Sequence, residues 1–286
     1  MYAFVNDELI AWSKARVHIS DLALHRGYGV FDFFKIQDGH VFFLNDYLDR
    51  FWHSAGVMRL PIPLDRGKVI KTIYRLVEKN NLKVSGIKLV LTGGYSTDGY
   101  LPGQPNLIMT HHELTLPPQR IFDEGVSIIT HEYVREFAEA KTINYTMGIW
   151  LAEKVRAANA YDVLYVKDNF VSEFPRCNFF IVRKDGTIVT PKENVLAGIT
   201  RKNVISLGKA MGSVEEGRVT LDDVYSAREA FLTSTTKRIV PVVRVNDQLI
   251  GDGKPGNTTT ALLTGLIDLE IADQTENAYP KKFYGF

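Results

Sequence analysis

The 286-residue sequence contains a single cysteine, Cys177, and no long apolar run. One thiol excludes an intrachain disulfide and is typical of a protein from a reducing cytoplasm. No apolar stretch approaches the length that crosses a bilayer, and the first residues lack the basic and then apolar order of a secretory signal. We therefore expect a cytoplasmic protein with no membrane partner.

The sequence also lacks an excess of charge of either sign. Its 34 Lys and Arg residues against 33 Asp and Glu residues give a formal net charge of +1. So small a charge favours neither nucleic acid nor an anionic membrane as a partner. Internal repeats and low-complexity segments are missing as well, and a hydrophobic content of 45% is ordinary for a globular protein.

The length of the chain favours two domains. A short Pro-Pro segment at 114–121 lies between halves of similar composition and is the predicted linker. We therefore predict an amino-terminal domain over 1–113 and a carboxy-terminal domain over 122–286. His111 and His112 lie together on a predicted strand, where neighbouring side chains point to opposite faces, so no metal site is predicted there.

Lys141 lies at the start of an amphipathic segment, 145–159, which predicts a helix. A lysine in this position is more often solvent-exposed than reactive. A lysine that is aimed into a cleft, however, can attack a carbonyl through its neutral amine. The residues around Lys141 do not decide between these interpretations, which depend on whether the chain supplies an anion site and a carboxylate.

Other segments of the chain contain both. Glu173 follows a predicted strand. Ile199-Thr200 opens a predicted helix, and its first amides and the Thr200 hydroxyl lie at the positive end of the helix dipole, where an anion can bind. Ser234-Thr235-Thr236 places three hydroxyls after another strand. Arg50 lies beside the apolar stripe of the helix predicted over 44–58 and needs a counter-charge, for which a phosphate, Asp46 or Asp49 would serve.

Together these residues match the needs of pyridoxal phosphate. A lysine amine holds its aldehyde, and a carboxylate keeps its pyridine nitrogen protonated. Arginine, helix amides and hydroxyls neutralise its phosphate.

Four motifs, in this order, resemble those of the class IV aminotransferases, the fold-type IV pyridoxal phosphate enzymes. They are Lys-x-x-Asn-Tyr from Lys141, Ser-Glu with Asn-Phe-Phe-Ile-Val from Ser172, Gly-Ile-Thr-Arg from Gly198, and Ser-Thr-Thr from Ser234. The resemblance implies a two-domain α/β fold, with a small amino-terminal α/β domain and a larger carboxy-terminal domain built on a barrel-like sheet. It also implies a homodimer with the site at the interdomain cleft.

The same resemblance implies a role for each matching residue. Lys141 resembles the lysine that binds the cofactor covalently, and Glu173 resembles the partner of the pyridine nitrogen. Tyr145 resembles the tyrosine that contacts the ring hydroxyl, although its spacing from the lysine differs by one residue. The phosphate ligands that the resemblance implies are Arg50, Ile199, Thr200, Thr235 and Thr236. Phe31 falls where the family has an aromatic wall of the substrate pocket.

The substrate is predicted from departures from the family pattern. D-amino-acid members hold the substrate carboxylate with an arginine and a histidine of a glycine-rich loop, and the loop 93–103 has neither. Branched-chain members have a tyrosine where this chain has Arg26, and Arg176 stands where small residues are common. Two arginines suit a carboxylate ligand better than a hydrophobic side chain. We therefore predict a D-amino-acid transaminase that acts on small or acidic substrates.

Three alternatives stay open at this point. A branched-chain L-amino-acid transaminase would share every cofactor residue. Aminodeoxychorismate lyase would release pyruvate without an amino acceptor. A protein that binds the cofactor without catalysis would use the same scaffold. For Arg176 itself, an ion pair with Glu173 or another acid competes with substrate binding.

Overall fold

The computed structural model describes residues 1–276, which form two compact units. Among the described residues, the first unit contains Met1–Thr115, Ala140–Asn144 and 268–276, and the second contains Leu116–Glu139 and Tyr145–Ile267. The change of unit after Thr115 falls inside the predicted linker. The short segment that contains Lys141 groups with the first unit, whereas a division at one linker assigns it to the second.

The first unit is built on a six-stranded antiparallel sheet in the order β2-β1-β6-β5-β3-β4. Its strands are β1 Tyr2–Val5, β2 Glu8–Ala11, β3 Gly29–Gln37, β4 His40–Val41, β5 Val84–Thr92 and β6 Leu107–Glu113. A 3-10 turn, Trp12–Lys14, follows β2. Its helices are α1 Leu22–Arg26, α2 Leu44–Val57 and α3 Arg66–Asn80.

Local sequence explains where these helices begin and end. The Asp21 carboxylate accepts the backbone N–H of Ala23 and so caps α1. Gly27 ends α1 in the left-handed conformation that glycine adopts without a Cβ penalty. Asp65 caps α3 in the same manner, by accepting the backbone N–H of Lys68.

The second unit contains a nine-stranded mixed sheet that curls into a half-barrel. Eight strands follow the order β12-β11-β10-β13-β14-β7-β8-β9, and β15 pairs with β14. The strands are β7 Val126–Glu132, β8 Val163–Lys167, β9 Phe170–Val171, β10 Asn178–Val182, β11 Ile188–Pro191, β12 Val214–Gly217, β13 Glu229–Ser234, β14 Arg238–Val245 and β15 Gln248–Leu249.

Six helices accompany this sheet along the chain. They are α4 Arg120–Asp123, α5 Thr146–Trp150, α6 Ala152–Ala157, α7 Ile199–Met211, α8 Leu221–Ser226 and α9 Asn257–Glu276. The last helix begins in the second unit and ends in the first. No helix within residues 1–276 combines the length and hydrophobicity needed to cross a bilayer.

The helix predicted over 145–159 is present as two short segments, α5 and α6, which are separated at Leu151. Leu151 keeps a helical backbone conformation, and its N–H and carbonyl still bond to Met147 and Val155 as in a helix. It is fully buried and belongs to a small apolar cluster with Val163 and Tyr165. Ile149 and Trp150, just before it, are exposed.

Candidate active site

The backbone around Lys141 is fixed by the sheet of the first unit. The Lys141 carbonyl accepts the backbone N–H of Phe31 at 2.9 Å, and the Ile143 N–H donates to the Gly29 carbonyl at 3.0 Å. On its other side, the Lys141 N–H donates to Oγ of the fully buried Ser54 at 3.0 Å. The lysine segment is thus attached to β3 and to α2, although it lies far from both in the sequence.

Two cations border the ring of Phe31. The Nζ atom of Lys141 lies 4.6 Å from the ring centroid, and that of Lys88 lies 5.6 Å from it. Both distances are within the range of a cation–π contact. The residue predicted to form the substrate wall therefore contacts the predicted catalytic lysine and a second lysine from β5.

Arg50 forms a buried pair with Asp32. Its Nε and Nη2 atoms donate to the two carboxylate oxygens at 2.9 and 2.6 Å. Asp32 is fully buried, and Arg50 is 8% exposed. The sequence offered a phosphate, Asp46 or Asp49 as the counter-charge. In the structure, β3 brings Asp32 to Arg50, and Asp49 forms an ion pair with Arg66.

Glu173 lies in the second unit and is 3% exposed. Its Oε1 atom accepts Nε of Arg135 at 2.7 Å, and its Oε2 atom accepts the Leu196 backbone N–H at 2.9 Å. The Nη2 atom of Arg135 donates to the Ala138 carbonyl at 2.7 Å. Both oxygens of this carboxylate are therefore held by charge-assisted hydrogen bonds, which favour its ionised form.

The loop that leads into α7 is hydrogen-bonded to Glu173 through Leu196. The Asn178 side chain donates to the Leu196 carbonyl at 2.9 Å, so Glu173 and Asn178 together hold both backbone groups of Leu196. No side chain of the described residues caps the helix at Gly198. Ile199 and Thr200, at its first turn, are buried. An uncapped helix start with buried first residues suits an anion.

The other predicted cofactor residues also lie in the second unit. Tyr145 is half-buried and directly precedes α5. Thr235 and Thr236 are half-buried and form the turn between β13 and β14. The structure thus groups Tyr145, Glu173, the α7 start and these threonines in one unit, and Lys141 with Arg50 and Phe31 in the other.

The two predicted substrate arginines are both exposed. Arg26 belongs to the first unit, where its Nε atom donates to the Gly99 carbonyl at 3.1 Å. It therefore tethers the glycine-rich loop that lacks the family's usual carboxylate ligands. Arg176 belongs to the second unit, and no carboxylate of residues 1–276 forms an ion pair with it.

The two adjacent histidines lie on opposite faces of β6. His111 is fully buried and hydrogen-bonds Oγ of Ser85, whereas the His112 ring contacts Trp12 edge-on. Burial lowers the pKa of His111 to about 4, so the ring is neutral at pH 7. Within residues 1–276, no group of three or more His, Cys, Asp or Glu side chains is arranged to hold a metal ion.

Sequence reasoning missed Arg135, Asp32 and Lys88. Asp32 could have been found from the sequence. It alternates with Val30 and Phe34 along β3, so the three side chains share one face of the strand. That face is buried, and a buried acid requires a partner. Arg135 gave no comparable signal. It lies 38 residues before Glu173, in a segment that reads as an ordinary loop.

Comparisons with known proteins identify the family. A model of the family "Amino-transferase class IV" matches residues 29–245. The chain belongs to the class IV aminotransferases. Class IV aminotransferases depend on pyridoxal phosphate, which confirms the cofactor predicted from the sequence, and the predicted family and fold-type IV architecture are confirmed as well.

Relatives of this aminotransferase include proteins of two specificities. A D-alanine aminotransferase of Listeria innocua is 31% identical over 98% of this chain and 100% of its own length. A putative branched-chain-amino-acid aminotransferase of Methanocaldococcus jannaschii is also 31% identical, over 92% of this chain and 94% of its own. The Escherichia coli branched-chain amino acid aminotransferase superposes with a TM-score of 0.86 at 25% identity and covers 94% of each chain.

The residues of this aminotransferase fit the cofactor in each unit. The second unit contains a buried carboxylate, Glu173, of the kind that a protonated pyridine nitrogen requires, and an uncapped helix start that suits a phosphate. Addition of a Cβ atom at Gly198 would place it 2.0 Å from Oδ1 of Asn178, so any other residue here requires the Asn178 side chain or the helix start to move. The first unit supplies the amine of Lys141.

Proposed function

We propose that this aminotransferase acts on D-amino acids with small or acidic side chains, such as D-alanine and D-glutamate, and uses pyruvate or 2-oxoglutarate as acceptor. Relatives named D-alanine aminotransferase, at 28–31% identity, support the D configuration. The observation that carries the preference for acidic substrates is the position of Lys88 at the ring of Phe31, which Lys141 also contacts. A second cation at this wall favours a side-chain carboxylate.

In this proposal, Lys141 performs the proton transfers. Pyridoxal phosphate supplies an electron sink for the negative charge that develops at the substrate α-carbon. Lys141 would hold the cofactor through its side-chain amine. Its Nζ atom, when neutral, would take the α-proton of the substrate as a base and return a proton as an acid.

The remaining residues of the proposed site hold and orient the cofactor and the substrate. Glu173 keeps the pyridine nitrogen protonated, and Arg135 keeps Glu173 ionised and fixed. Tyr145 contacts the ring hydroxyl. The residues proposed to bind the phosphate are Arg50, Ile199, Thr200, Thr235 and Thr236. Arg26 and Arg176 are proposed to bind the substrate α-carboxylate, with Phe31 as the wall of the pocket.

The second candidate is a branched-chain L-amino-acid transaminase. It is favoured by the relative from Methanocaldococcus jannaschii and by the structural match to the Escherichia coli enzyme. This candidate predicts activity on L-leucine with 2-oxoglutarate and indifference to replacement of Arg26. A homodimer in the cytoplasm is part of both proposals.

A half-reaction assay separates the candidates. The holoenzyme is mixed separately with D-alanine, D-glutamate and L-leucine, and the visible absorption of the lysine-bound cofactor is followed. We expect D-alanine and D-glutamate to bleach the band. Bleaching by L-leucine alone would overturn the D assignment, and pyruvate release from aminodeoxychorismate without an acceptor would identify a lyase. Lys141→Ala serves as the control, since it lacks the lysine-bound band and nearly all turnover.

The role of Lys88 is tested by Lys88→Met. Because a charge-assisted hydrogen bond contributes roughly 1.5–3 kcal/mol, KM for 2-oxoglutarate should rise about 10- to 100-fold while KM for pyruvate changes little. The matched control is Lys83→Met, because Lys83 is exposed and lies just before the same strand. An equal rise for both keto acids would reject the proposed side-chain contact.

A further inference from the structure

The only thiol of the chain lies beside a lysine in the second unit. The Nζ atom of Lys237 is 3.9 Å from Sγ of Cys177 and 4.6 Å from the ring centroid of Tyr161. Cys177 is 5% exposed, whereas the Lys237 side chain is 17% exposed. The pair is therefore packed closely and still reaches the protein surface through the lysine.

Asp162 adds a second, independent feature. Its side chain is 9% exposed, and its Oδ1 atom accepts the Val163 N–H at 2.9 Å. Its Oδ2 atom is buried and has no hydrogen-bond partner among the described residues, and it lies 3.8 Å from Nζ of Lys237. A buried carboxylate oxygen without a hydrogen bond is costly, and this one is aimed at the lysine amine. Burial raises the pKa of Asp162. The pKa of Lys237 is raised as well, because the nearby charges of Cys177 and Asp162 outweigh the effect of burial, so its neutral amine is the minor form.

We propose that Cys177 and Lys237 form a covalent sulfur–nitrogen crosslink when the protein meets hydrogen peroxide. No role in the aminotransferase reaction is assigned to either residue, so the proposal does not depend on the substrate.

The chemistry proceeds in two balanced steps. Hydrogen peroxide transfers one oxygen to the Cys177 thiol, which gives a sulfenic acid and water, so that sulfur is oxidised and the peroxide is reduced. Asp162 then takes a proton from the Lys237 ammonium, and the neutral amine attacks the sulfur. The nitrogen loses a second proton to the departing hydroxide, which leaves as water. One S–N bond forms, and the protein loses two hydrogen atoms in total.

The surroundings favour the second step over further oxidation. The flexible four-carbon stem of Lys237 allows its amine to close the distance of 3.9 Å to the sulfur. Burial raises the pKa of the Cys177 thiol, so its reaction with peroxide is slow and requires excess oxidant. Once formed, the crosslink would tie the residue before Asn178 to the turn that contains Thr235 and Thr236.

The test is peroxide treatment of the full-length holoenzyme followed by mass spectrometry of the intact chain and its tryptic peptides. We expect the peptide beginning at Cys177 to be joined to the one containing Lys237, with the mass of two hydrogens lost and restored by a thiol reductant. Because the chain has a single cysteine, an intrachain disulfide cannot cause this loss. Cys177 recovered as a sulfinic acid with Lys237 unmodified, or a pair joined through an added oxygen, would overturn the proposal.

Three variants sharpen the result. Cys177→Ser and Lys237→Arg should each abolish the joined peptide, and the arginine retains the positive charge. Asp162→Asn should slow crosslink formation several-fold without slowing the consumption of the thiol, because only the second step uses the carboxylate. Equal crosslinking rates with and without the Asp162 carboxylate would remove it from the mechanism. Unchanged circular dichroism of each variant shows that folding is not the cause.

Discussion

At Glu173, a single carboxylate depends on a partner that is distant in the sequence. The side chain is almost fully buried, and Arg135 supplies the compensating charge through a 2.7 Å hydrogen bond. The removal of one member of a buried ion pair leaves the other uncompensated, which costs more than the pair contributes. Arg135 is thus a positioning residue for the proposed partner of the pyridine nitrogen.

We predict that Arg135→Gln lowers the free energy of unfolding by about 3–5 kcal/mol and weakens cofactor binding, since Glu173 loses its charge partner. Urea unfolding and titration of the apoenzyme with cofactor measure the two effects. The pH at which the cofactor's absorption changes should also shift, which a purely structural role would not cause. Arg135→Lys should restore part of the stability and part of the cofactor affinity, because lysine keeps the positive charge.

The exposed Arg156 provides the control for this prediction. Arg156→Gln removes the same charge in the same unit and should change stability by no more than about 0.5 kcal/mol. An Arg135→Gln variant that binds cofactor as the wild type does, with an unshifted absorption titration, would show that Glu173 does not need this partner.

The same residues show how far the sequence alone could lead. Lys141, Glu173 and Ile199-Thr200 were proposed because their types and order match a pyridoxal phosphate site. Arg135 and Lys88 were not, because their importance depends on which side chains the folded chain brings beside them. Asp32 carried a usable signal in its strand. The counter-charges considered for Arg50 were instead a phosphate and two acids of the same predicted helix, Asp46 and Asp49.

At the scale of elements, close packing rather than side-chain chemistry sets the start of α7. The helix begins at Gly198 with ordinary backbone dihedrals, so the glycine is not required by a positive φ. It is required by space, since a Cβ atom would lie 2.0 Å from Oδ1 of Asn178. The sequence predicted this helix from its pattern, but no pattern could indicate that Asn178 fills the position of the missing Cβ.

We therefore predict that Gly198→Ala displaces either Asn178 or the first turn of α7. The expected loss of stability is about 1–3 kcal/mol, which is typical of overpacking, and affinity for the cofactor should fall as the helix amides move. Thermal unfolding of the apoenzyme and of the holoenzyme separates these effects, because the shift in Tm caused by cofactor should shrink.

Gly56 in α2 is the control for this substitution. A Cβ atom there meets nothing within 4 Å, so Gly56→Ala should be neutral or slightly stabilising, by up to about 1 kcal/mol. If Gly198→Ala behaves like Gly56→Ala and retains the full shift in Tm, then the backbone at Gly198 is not held by Asn178.

At the scale of the whole molecule, α9 begins in the second unit and ends in the unit that contains the first strands. In the structure, Glu270 and Asp273 belong to the first unit and pair there with Lys35 and His40, at 2.7 Å in both cases. These contacts join residues more than 230 positions apart, so local patterns could not predict them.

The Lys35–Glu270 pair gives the final prediction. Their side chains are 5% and 8% exposed, and the Nζ atom of Lys35 also lies 4.5 Å from the ring centroid of Phe42. Lys35→Met removes the 2.7 Å ion pair between Lys35 and the buried Glu270 carboxylate and should cost about 3–5 kcal/mol. Since an apolar pair of similar volume avoids this penalty, Lys35→Met combined with Glu270→Leu should recover most of the loss. Urea unfolding of the wild type, both single variants and the double variant measures the coupling. If the losses of the single variants simply add in the double variant, the pair is not coupled, and the end of α9 is held to the first unit by its other contacts.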